Sequence, residues 1–436
     1  MSEQPRASFG GKLSVILVAA GSAIGLGALW RFPYIAGENG GAAFLLVFLL
    51  SVLVVGIPAM LAEFAVGRHT KKNAVGAFRA LSKRWSWLGY SGVLGALLIS
   101  GYYYLIAGWS LEYFVNSVTG SLYSDAASFT SQFSEFEGSW RPIIYCVIFI
   151  LMTHLIVSFG VEKGIERASK IMMPLLFIIL IVMAVRVAFM PGAAKGYEFF
   201  LSCDFEKAFS PDTIMMAMGQ AFFSLSVGMG CMVTYSSYFK KNNNMISTSF
   251  NVSLLTILVS VLAGLIIFPA VFSAGLEPTE GSSLVFITLP EIFKGMPLAA
   301  LWSSIFFLLV ILAALTSTIS FHEVLTAYFS EEFKLSRKSA AFVTTVVSIL
   351  LSVLTFSKLF GVDYSNVFDF VTANILMPLG GMFTCIFVVW YMKKSFMKDE
   401  LTNEGTANRY LYKVFIFMLR YVTPLIIFYI FIKNLI

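Results

Sequence analysis

The chain contains little charge. Only 12% of its 436 residues are Asp, Glu, Lys or Arg, whereas 58% are hydrophobic and the mean hydropathy is +0.83. Soluble domains carry roughly a quarter charged residues, so this composition excludes an ordinary soluble protein and predicts an all-α polytopic membrane protein in a lipid bilayer. The net charge of +6 does not indicate a nucleic-acid partner, because the basic residues sort by side of the membrane.

Cysteine is scarce as well, and the motifs of catalysis are missing. Three of the four cysteines, Cys146, Cys231 and Cys385, lie in apolar runs, which leaves Cys203 without a loop partner, and we predict no disulfide. The sequence has no nucleotide-binding loop, zinc motif or nucleophile elbow, so we predict that the protein is not an enzyme. The first apolar run is too long for a cleavable signal peptide and lacks a small-residue cleavage site.

The apolar runs predict eleven membrane spans. We number them span 1 to span 11, at residues 12–37, 42–68, 87–118, 141–158, 164–190, 211–239, 247–273, 299–329, 338–357, 365–392 and 410–434. Three longer connections separate some of these spans, and we expect short surface helices in two of them. The connections are residues 119–140, 191–210 and 274–298.

The distribution of charge predicts the orientation. Most Lys and Arg residues fall in segments that share one side of the membrane if the N-terminus is inside. The opposite loops are acidic, with Asp125, Glu135, Glu137, Glu277 and Glu280. The odd number of spans then predicts that the C-terminus is outside. Short outer loops predict a bacterial cytoplasmic (inner) membrane.

Two spans carry glycines where a continuous helix would be expected. Span 1 contains GSAIGLGALWRFP at Gly21–Pro33, and span 6 contains GQAFFSLSVGMGCMVTYSSY at Gly219–Tyr238. Each glycine weakens a helix by about 1 kcal/mol relative to alanine, and open backbone inside a membrane must be satisfied by protein or ligand. The alternative is that the glycines only allow close helix packing.

Spans 1 and 6 are five spans apart, so a repeat of that length is inverted in the membrane. Broken helices at corresponding places in inverted halves indicate a transporter site near the midplane. We therefore predict one transporter domain over residues 1–436, with repeats at 12–190 and 211–392 and an added helix at 410–434.

Seven ordered motifs carry a resemblance to a known family. They are GSAIGLGALWRFP, ENGGAAF at Glu38–Phe44, GIPAMLAEFAVGR at Gly56–Arg68, GYYY at Gly101–Tyr104, GQAFFSLSVGMG, ALTSTIS at Ala314–Ser320 and KLSR at Lys334–Arg337. With these motifs the chain resembles the neurotransmitter:sodium symporter family, and its length is similar to that of the eleven-helix bacterial amino-acid transporters. The resemblance implies a LeuT-type 5+5 inverted repeat plus an eleventh helix, with helices 1 and 6 unwound, and Na⁺-coupled uptake by alternating access.

The resemblance also implies a substrate site for an amino acid. Its carboxylate would meet the amides of Leu26 and Gly27 and the hydroxyl of Tyr103, as suits the N-terminal end of a half-helix. Monoamine members have an Asp at the position of Gly25, so the glycine favours a substrate that brings its own carboxylate. The candidate substrate-binding residues are Ala23, Gly25, Leu26, Gly27, Ile99, Tyr103, Phe223, Ser224, Ser226, Met229, Thr318 and Phe321.

The side-chain part of that site is apolar or aromatic and contains no charge. It would consist of Ile99, Tyr103, Phe223, Met229, Thr318 and Phe321, although each of these residues taken alone is also typical of core packing. Met229 is an adaptable side chain between two glycines. We therefore predict a hydrophobic substrate, with aromatic amino acids favoured and branched aliphatic ones included.

Two sodium sites follow from the same resemblance. One would use the carbonyls of Gly21, Ile24 and Ala313 and the hydroxyls of Thr316 and Ser317, with back-bonding of these hydroxyls to their own helix as the alternative. The other would use Ala23, Ser224 and Asn251. At this second set the family usually has an Asn where this chain has Ala28, so we expect the site to be weak, water-completed or absent.

Chloride is not an expected partner. Chloride-dependent members have a Tyr where Phe48 stands and a Ser where Leu255 stands, which leaves only Gln220 and Ser224 of that site. Glu63 either supplies negative charge instead or accepts hydrogen bonds from the unwound helices.

The resemblance predicts two gates. Arg31 and Asp369 would close the outer side, and Arg6 and Glu331 would close the inner side with support from Tyr238. Two alternatives to a two-sodium symporter stay open. One is a single-sodium symporter with proton coupling, in which Glu323 either carries a proton or bonds to Tyr238. The other is an amino-acid sensor that does not transport.

Overall fold

Helices occupy all the predicted spans in the computed structural model, which describes residues 6–124, 127–276, 284–357, 362–407 and 409–435. Within those residues, nine helices are long and apolar enough to cross a membrane, and they correspond to spans 2–5 and 7–11. Their bounds are Ala42–Thr70, Lys83–Thr119, Arg141–Ser158, Val161–Ala188, Met245–Ser273, Ala299–Glu332, Arg337–Ser357, Tyr364–Tyr391 and Arg409–Lys433.

Span 1 is broken into two helices, Lys12–Ala23 and Gly27–Glu38, which are bent by 56°. The amide of Ile24 still donates to the carbonyl of Ala20 at 2.7 Å, but Ile24 itself is extended and ends the first helix. The carbonyls of Gly21, Ser22 and Ala23, which follow Ala20, therefore have no amide partner in their own helix.

Span 6 is broken into Pro211–Ser224 and Cys231–Ser236. The connecting segment has positive φ at Ser226, Gly228 and Gly230. A Cβ on Gly228 would lie 2.3 Å from the carbonyl oxygen of Met377. Only glycine fits at this position, because span 10 approaches the backbone so closely.

Short helices are more numerous than predicted. All three long connections contain them, and two further ones lie in connections for which we predicted no helix. The short helices are Ala74–Leu81, Ser121–Ser124, Phe129–Glu137, Ala193–Leu201, Phe205–Ala208, Thr288–Lys294 and Lys394–Thr402. The predicted acidic outer residues Asp125, Glu277 and Glu280 lie outside the described residues.

Wide π-helical turns interrupt five of the spans. They lie at Gly27–Arg31, Val52–Gly56, Val161–Glu166, Val371–Leu376, Phe387–Tyr391 and Met418–Val422. Such turns are rare and often mark functional sites or kinks.

The two long helices Lys83–Thr119 and Ala299–Glu332 pack along each other through the middle of the molecule. The most apolar stretches of Arg141–Ser158, Val161–Ala188, Arg337–Ser357 and Arg409–Lys433 are only 33–39% buried. Their outward apolar side chains are suited to lipid. Both broken spans contact Ala299–Glu332 of the central pair, and Lys12–Ala23 also packs along Met245–Ser273.

Candidate functional site

The breaks of spans 1 and 6 meet at a small cavity of about 20 Å³, which holds about one water molecule. Among the described residues, those that line this cavity are uncharged. The lining residues are Ser22, Ala23, Gly25, Gly27, Ile99, Tyr103, Phe223, Ser224, Ser226, Met229, Ser317 and Phe321. Spans 1 and 6 thus supply backbone and small polar groups, and span 6 adds Phe223 and Met229. Spans 3 and 8 supply the rest of the side-chain wall.

Two glycines of span 1 have neighbours so close that no side chain would fit at their positions. A Cβ on Gly25 would lie 2.2 Å from Ser317 Oγ and 2.6 Å from Tyr103 Oη, and a Cβ on Gly27 would lie 2.7 Å from a ring carbon of Phe223. Between them, the amide of Leu26 donates to Tyr103 Oη at 2.9 Å. The side chains of spans 3, 6 and 8 therefore contact the bare backbone of span 1.

The carbonyl of Ser22 links the two broken helices. It accepts hydrogen bonds from Ser226 Oγ at 2.8 Å and from Ser317 Oγ at 3.4 Å. This carbonyl lies in the last turn of Lys12–Ala23, where the negative end of the helix dipole favours a cation.

Three oxygens of one predicted sodium set lie together. Thr316 Oγ1 is 3.1 Å from the carbonyl of Ile24 and 2.9 Å from the carbonyl of Ala313. Gly21 is also near, because a Cβ on it would lie 3.4 Å from Thr316 Cβ. Ser317 is placed differently, since its hydroxyl points at Ser22 and Gly25 rather than at Ile24.

The other predicted sodium set is less regular. Ala23 and Ser224 line the cavity, but the side-chain amide of Asn251 donates to the carbonyl of Ser247 on its own helix at 2.5 Å. Ala28 is fully buried and contributes no side-chain oxygen.

A larger vestibule of about 360 Å³ lies next to the cavity. Tyr103 and Phe223 line both spaces and so separate them. Beside this vestibule, Arg31 Nη1 lies 3.8 Å from Asp369 Oδ1, with its guanidinium 4.5 Å from the ring centre of Phe223. Asp369 also accepts a hydrogen bond from Tyr102 Oη at 2.8 Å. The Arg31–Asp369 pair is therefore longer than a direct hydrogen bond, and both residues line the vestibule.

The opposite end of the broken spans is tightly closed. Arg6 forms an ion pair with Glu331 and donates to Ser237 Oγ at 2.9 Å. The amide of Phe9 donates to the carbonyl of Tyr238 at 3.1 Å, and Arg6 lies over the Tyr238 ring at 4.6 Å. Several direct contacts thus hold the N-terminal segment against the end of span 6.

Two buried acids have defined partners. Glu63 accepts a hydrogen bond from the amide of Gly228 at 2.6 Å, so it satisfies backbone that the break in span 6 leaves open. Glu323 accepts from Tyr238 Oη at 2.6 Å and from Arg337 Nη2 at 2.6 Å. This acid is therefore neutralised by a cation that the sequence analysis did not assign to it.

A protein-family profile described as "Sodium:neurotransmitter symporter family" matches residues 6–135 and 123–436. The chain belongs to this family. It is accordingly a multi-pass membrane transporter of the sodium-dependent type, and not an enzyme.

Relatives of this symporter match over its whole length. It is 37% identical to an uncharacterized sodium-dependent transporter of Bacillus subtilis (strain 168), over 99% of this chain and 98% of the relative. It is 34% identical to an uncharacterized sodium-dependent transporter of Haemophilus influenzae, over 100% and 99% of the two chains. The crystal structure of MhsT in complex with L-phenylalanine matches with a TM-score of 0.90 and 39% identity, over 99% of this chain and 100% of that one. These matches confirm the predicted LeuT-type fold.

The structure of the symporter brings most predicted substrate residues to one cavity and places others elsewhere. Thr318 is fully buried and lies on the face of its helix that packs against span 4. Its hydroxyl contacts the Leu315 carbonyl and Thr153 Oγ1, both at 3.0 Å. Ser22 was missed although it stands inside GSAIGLGALWRFP, because its role is carried by a backbone carbonyl. Arg337 was missed as a partner of Glu323, although it is the last residue of the KLSR motif.

Proposed function

We propose that this protein is a Na⁺-coupled symporter that takes up a hydrophobic amino acid by alternating access, with aromatic amino acids favoured. The observation that carries the proposal is that two helix breaks and an uncharged wall meet at one cavity. The likeness to a transporter solved with L-phenylalanine supports the same substrate class.

The groups around the cavity suit the two ends of an amino acid. The Leu26 amide donates to Tyr103 Oη, and the Ser22 carbonyl accepts from Ser226 and Ser317. A bound amino acid would take over these contacts, with its carboxylate at the Leu26 amide and the Tyr103 hydroxyl and its ammonium group at the Ser22 carbonyl. Ile99, Met229 and Phe321 offer an apolar wall. A cavity of about 20 Å³ does not hold a phenylalanine, so binding requires movement of the wall, for which the flexible Met229 is suited.

Sodium coupling is supported by oxygens that converge where span 1 is broken. Thr316 Oγ1 lies 3.1 Å from the Ile24 carbonyl oxygen and 2.9 Å from the Ala313 carbonyl oxygen. Because a bound Na⁺ would join the end of Lys12–Ala23 to Ala299–Glu332, it would hold span 1 in the shape that the substrate needs.

Chloride independence is part of the proposal. Phe48 is fully buried, and its ring centre lies 5.1 Å from that of Phe32 and 6.3 Å from that of Phe44. This aromatic cluster fills the place where chloride-dependent relatives have polar groups, so an anion would lack donors there.

We further propose that the protein lies in a bacterial inner membrane with its N-terminus inside and its C-terminus outside, and that residues 12–190 and 211–392 form the inverted repeats. In this orientation the tight Arg6–Glu331 contact faces the cytoplasm and the vestibule faces outward. The conformation is then closed inside and accessible from outside.

The decisive experiment is binding of radiolabelled phenylalanine to purified protein over a Na⁺ titration at constant ionic strength, with K⁺ as the replacement. We expect binding only with Na⁺, and competition by tyrosine, tryptophan and leucine but not by glycine, glutamate or lysine. Counterflow in proteoliposomes then separates a transporter from a sensor. Binding that ignores Na⁺, or a preference for glycine or charged amino acids, would overturn the proposal.

A further inference from the structure

Gln220 has a buried side-chain oxygen without a partner. The residue is 2% exposed, and among the described residues nothing donates a hydrogen bond to its Oε1. Leaving such an acceptor unpaired costs about 1–3 kcal/mol. The oxygen therefore needs a partner that the described part of the chain does not supply.

The neighbours of Gln220 determine which end of the amide is the nitrogen. One end lies 2.8 Å from the carbonyl oxygen of Gly27 and 3.1 Å from Ser224 Oγ. A backbone carbonyl only accepts hydrogen bonds, so the atom facing it must be the donor, Nε2. The unpartnered atom is then the carbonyl oxygen, and exchanging the two ends would put two oxygens against each other.

This arrangement suits a cation rather than an anion. An anion needs donors, and the amide nitrogen of Gln220 is already engaged with Gly27 and Ser224. What remains is an oxygen, which is the ligand type that hard cations prefer.

The same two contacts place Gln220 beside the irregular sodium set. Ser224 belongs to that set, and Gly27 directly precedes Ala28, whose methyl group replaces the expected side-chain oxygen. We propose that Gln220 Oε1 serves as a ligand of the Na⁺ ion at this set and replaces the oxygen that Ala28 lacks. The inference rests on the proposed Na⁺ coupling and adds a residue to it.

A competing partner for Oε1 is water. Gln220 also borders a cavity of about 60 Å³ between spans 1, 6, 10 and 11, which is large enough for water. A glutamine that only holds Gly27 in place and binds water would be a positioning residue without a role in Na⁺ affinity through its oxygen.

The test uses the full-length protein and two substitutions of one residue. Gln220→Leu removes both the oxygen and the donor, whereas Gln220→Glu keeps an oxygen ligand and removes the donor. Gln132→Leu, the same change in an outer connecting helix, is the control. The readouts are the Na⁺ concentration for half-maximal phenylalanine binding and the rise in melting temperature that NaCl causes relative to KCl without substrate, since a ligand that binds only the folded state stabilises it.

We expect Gln220→Leu to raise the half-saturating Na⁺ concentration at least about tenfold, equivalent to about 1.4 kcal/mol, and to flatten a steep Na⁺ dependence toward a single-site curve. We expect Gln220→Glu to bind Na⁺ as tightly as wild type or more tightly, and Gln132→Leu to match wild type. The melting shift should follow the same order.

Two results would overturn the inference. One is an unchanged Na⁺ curve in Gln220→Leu, and the other is a loss in Gln220→Glu as large as that in Gln220→Leu, because then only the donor to Gly27 matters. If Gln220→Leu does not fold, Gln220→Glu decides alone: a weaker Na⁺ response than wild type rejects the ligand role. Failure of the proposed function is distinguishable, because wild type itself would then show no Na⁺ dependence.

Discussion

At the scale of single residues, the cavity between spans 1 and 6 depends on two glycines. Gly25 and Gly27 let Ser317, Tyr103 and Phe223 reach the backbone of span 1. The binding groups of span 1 are therefore amides and carbonyls, and the neighbouring side chains orient them.

Gly25→Ala should abolish phenylalanine binding. The new methyl group would lie 2.2 Å from Ser317 Oγ, so span 1 or span 8 must move at the cavity. Gly219→Ala is a matched control, because its Cβ would have nothing within 4 Å. We expect at least about a tenfold loss of affinity, or about 1.4 kcal/mol, for Gly25→Ala alone; equal affinities for the two variants would contradict this packing argument.

Thr316→Val should weaken Na⁺ binding. The change keeps the shape and removes the hydroxyl that lies between the Ile24 and Ala313 carbonyls. We expect an increase of about tenfold in the half-saturating Na⁺ concentration, because a hydrogen-bonding or ligating oxygen contributes about 1–2 kcal/mol. Thr256→Val, whose buried hydroxyl bonds only within its own helix, should leave the Na⁺ titration unchanged. If both variants behave alike, Thr316 does not act on the ion.

The resemblance assigned Thr316 and Ser317 to a sodium set and Thr318 to the substrate site, but it did not give the direction of each side chain. Consecutive helical residues point about 100° apart, so one faces Ile24, the next faces Ser22 and Gly25, and the third faces Thr153. The rotation of span 8 about its own axis decides which neighbour each side chain faces. That rotation depends on the packing of the whole helix. The contact of Gln220 with Gly27 was missed for the same reason.

At the scale of elements, the two ends of the broken spans are held with unequal strength. In the proposed orientation, the inner end combines an ion pair, side-chain hydrogen bonds and a backbone hydrogen bond. The outer end has an ion pair at 3.8 Å, the Tyr102–Asp369 hydrogen bond and the contact of Arg31 with the Phe223 ring. Under the proposed alternating access, inward opening would require the release of the N-terminal segment before Lys12–Ala23.

Arg6→Gln should loosen that segment. Losing the ion pair with Glu331 should cost about 1 kcal/mol, as for partly exposed pairs, and should speed amide exchange several-fold in peptides covering Phe9 and Gly10. The amides of these two residues donate to Tyr238 and Glu166. Lys12→Gln removes the same charge from an exposed position nearby, and we expect it to exchange like wild type. Unchanged exchange in Arg6→Gln would show that the backbone contacts suffice.

The contacts that hold the short helix Lys394–Thr402 against span 2 should depend on pH. Arg68 donates to Glu400 Oε2 at 2.6 Å and to the Glu400 carbonyl at 2.6 Å. Burial raises the pKa of Glu400, but the hydrogen bond with His69 and the charge of Arg68 outweigh it and hold this pKa below its ordinary value of 4.5. The stabilisation that the Glu400 charge gives to the folded protein is therefore complete above pH 4.5. It is lost as the pH falls through the lower pKa that Glu400 has in the folded state.

Glu400→Gln should consequently lower the melting temperature at neutral pH and have little effect in acid. Removing one member of this mostly buried pair should cost up to about 3 kcal/mol, and the difference from wild type should shrink below about pH 4. Glu404→Gln is the control, since Glu404 is exposed and lies 3.9 Å from Lys241. A difference that persists in acid would mean that the Glu400 charge is not the cause.

At the scale of the whole molecule, the fold was largely predictable because glycine and hydropathy patterns are local signals. Two interrupted spans an odd number apart predict an inverted architecture before any contact is known. The helices Ala74–Leu81 and Lys394–Thr402 escaped prediction because they are short and depend on tertiary partners. Asn73, for example, caps the first of them by accepting from the Val75 and Gly76 amides and also bonds to Glu331.

Uptake by the whole transporter should not require chloride. With Na⁺ held constant, replacing chloride by gluconate should leave the rate of phenylalanine uptake into proteoliposomes unchanged, because Phe48 lies in an aromatic cluster. Replacing Na⁺ by K⁺ at constant chloride should abolish uptake and serves as the positive control. A rate that falls with chloride would require an anion site elsewhere.

The wide turn at Val52–Gly56 has a consequence for insertions and deletions. A π-helical turn holds one residue more than an α-helical one, so the residues after it are already shifted in phase, and Glu63 meets Gly228 only in that phase. Deleting one residue within this turn would leave an ordinary α-helical turn and keep Glu63 close to its present phase. Deleting one residue between this turn and Glu63 would instead turn the carboxylate by about 100°, away from the break in span 6. Length variation among relatives within the first part of span 2 should therefore be confined to this turn.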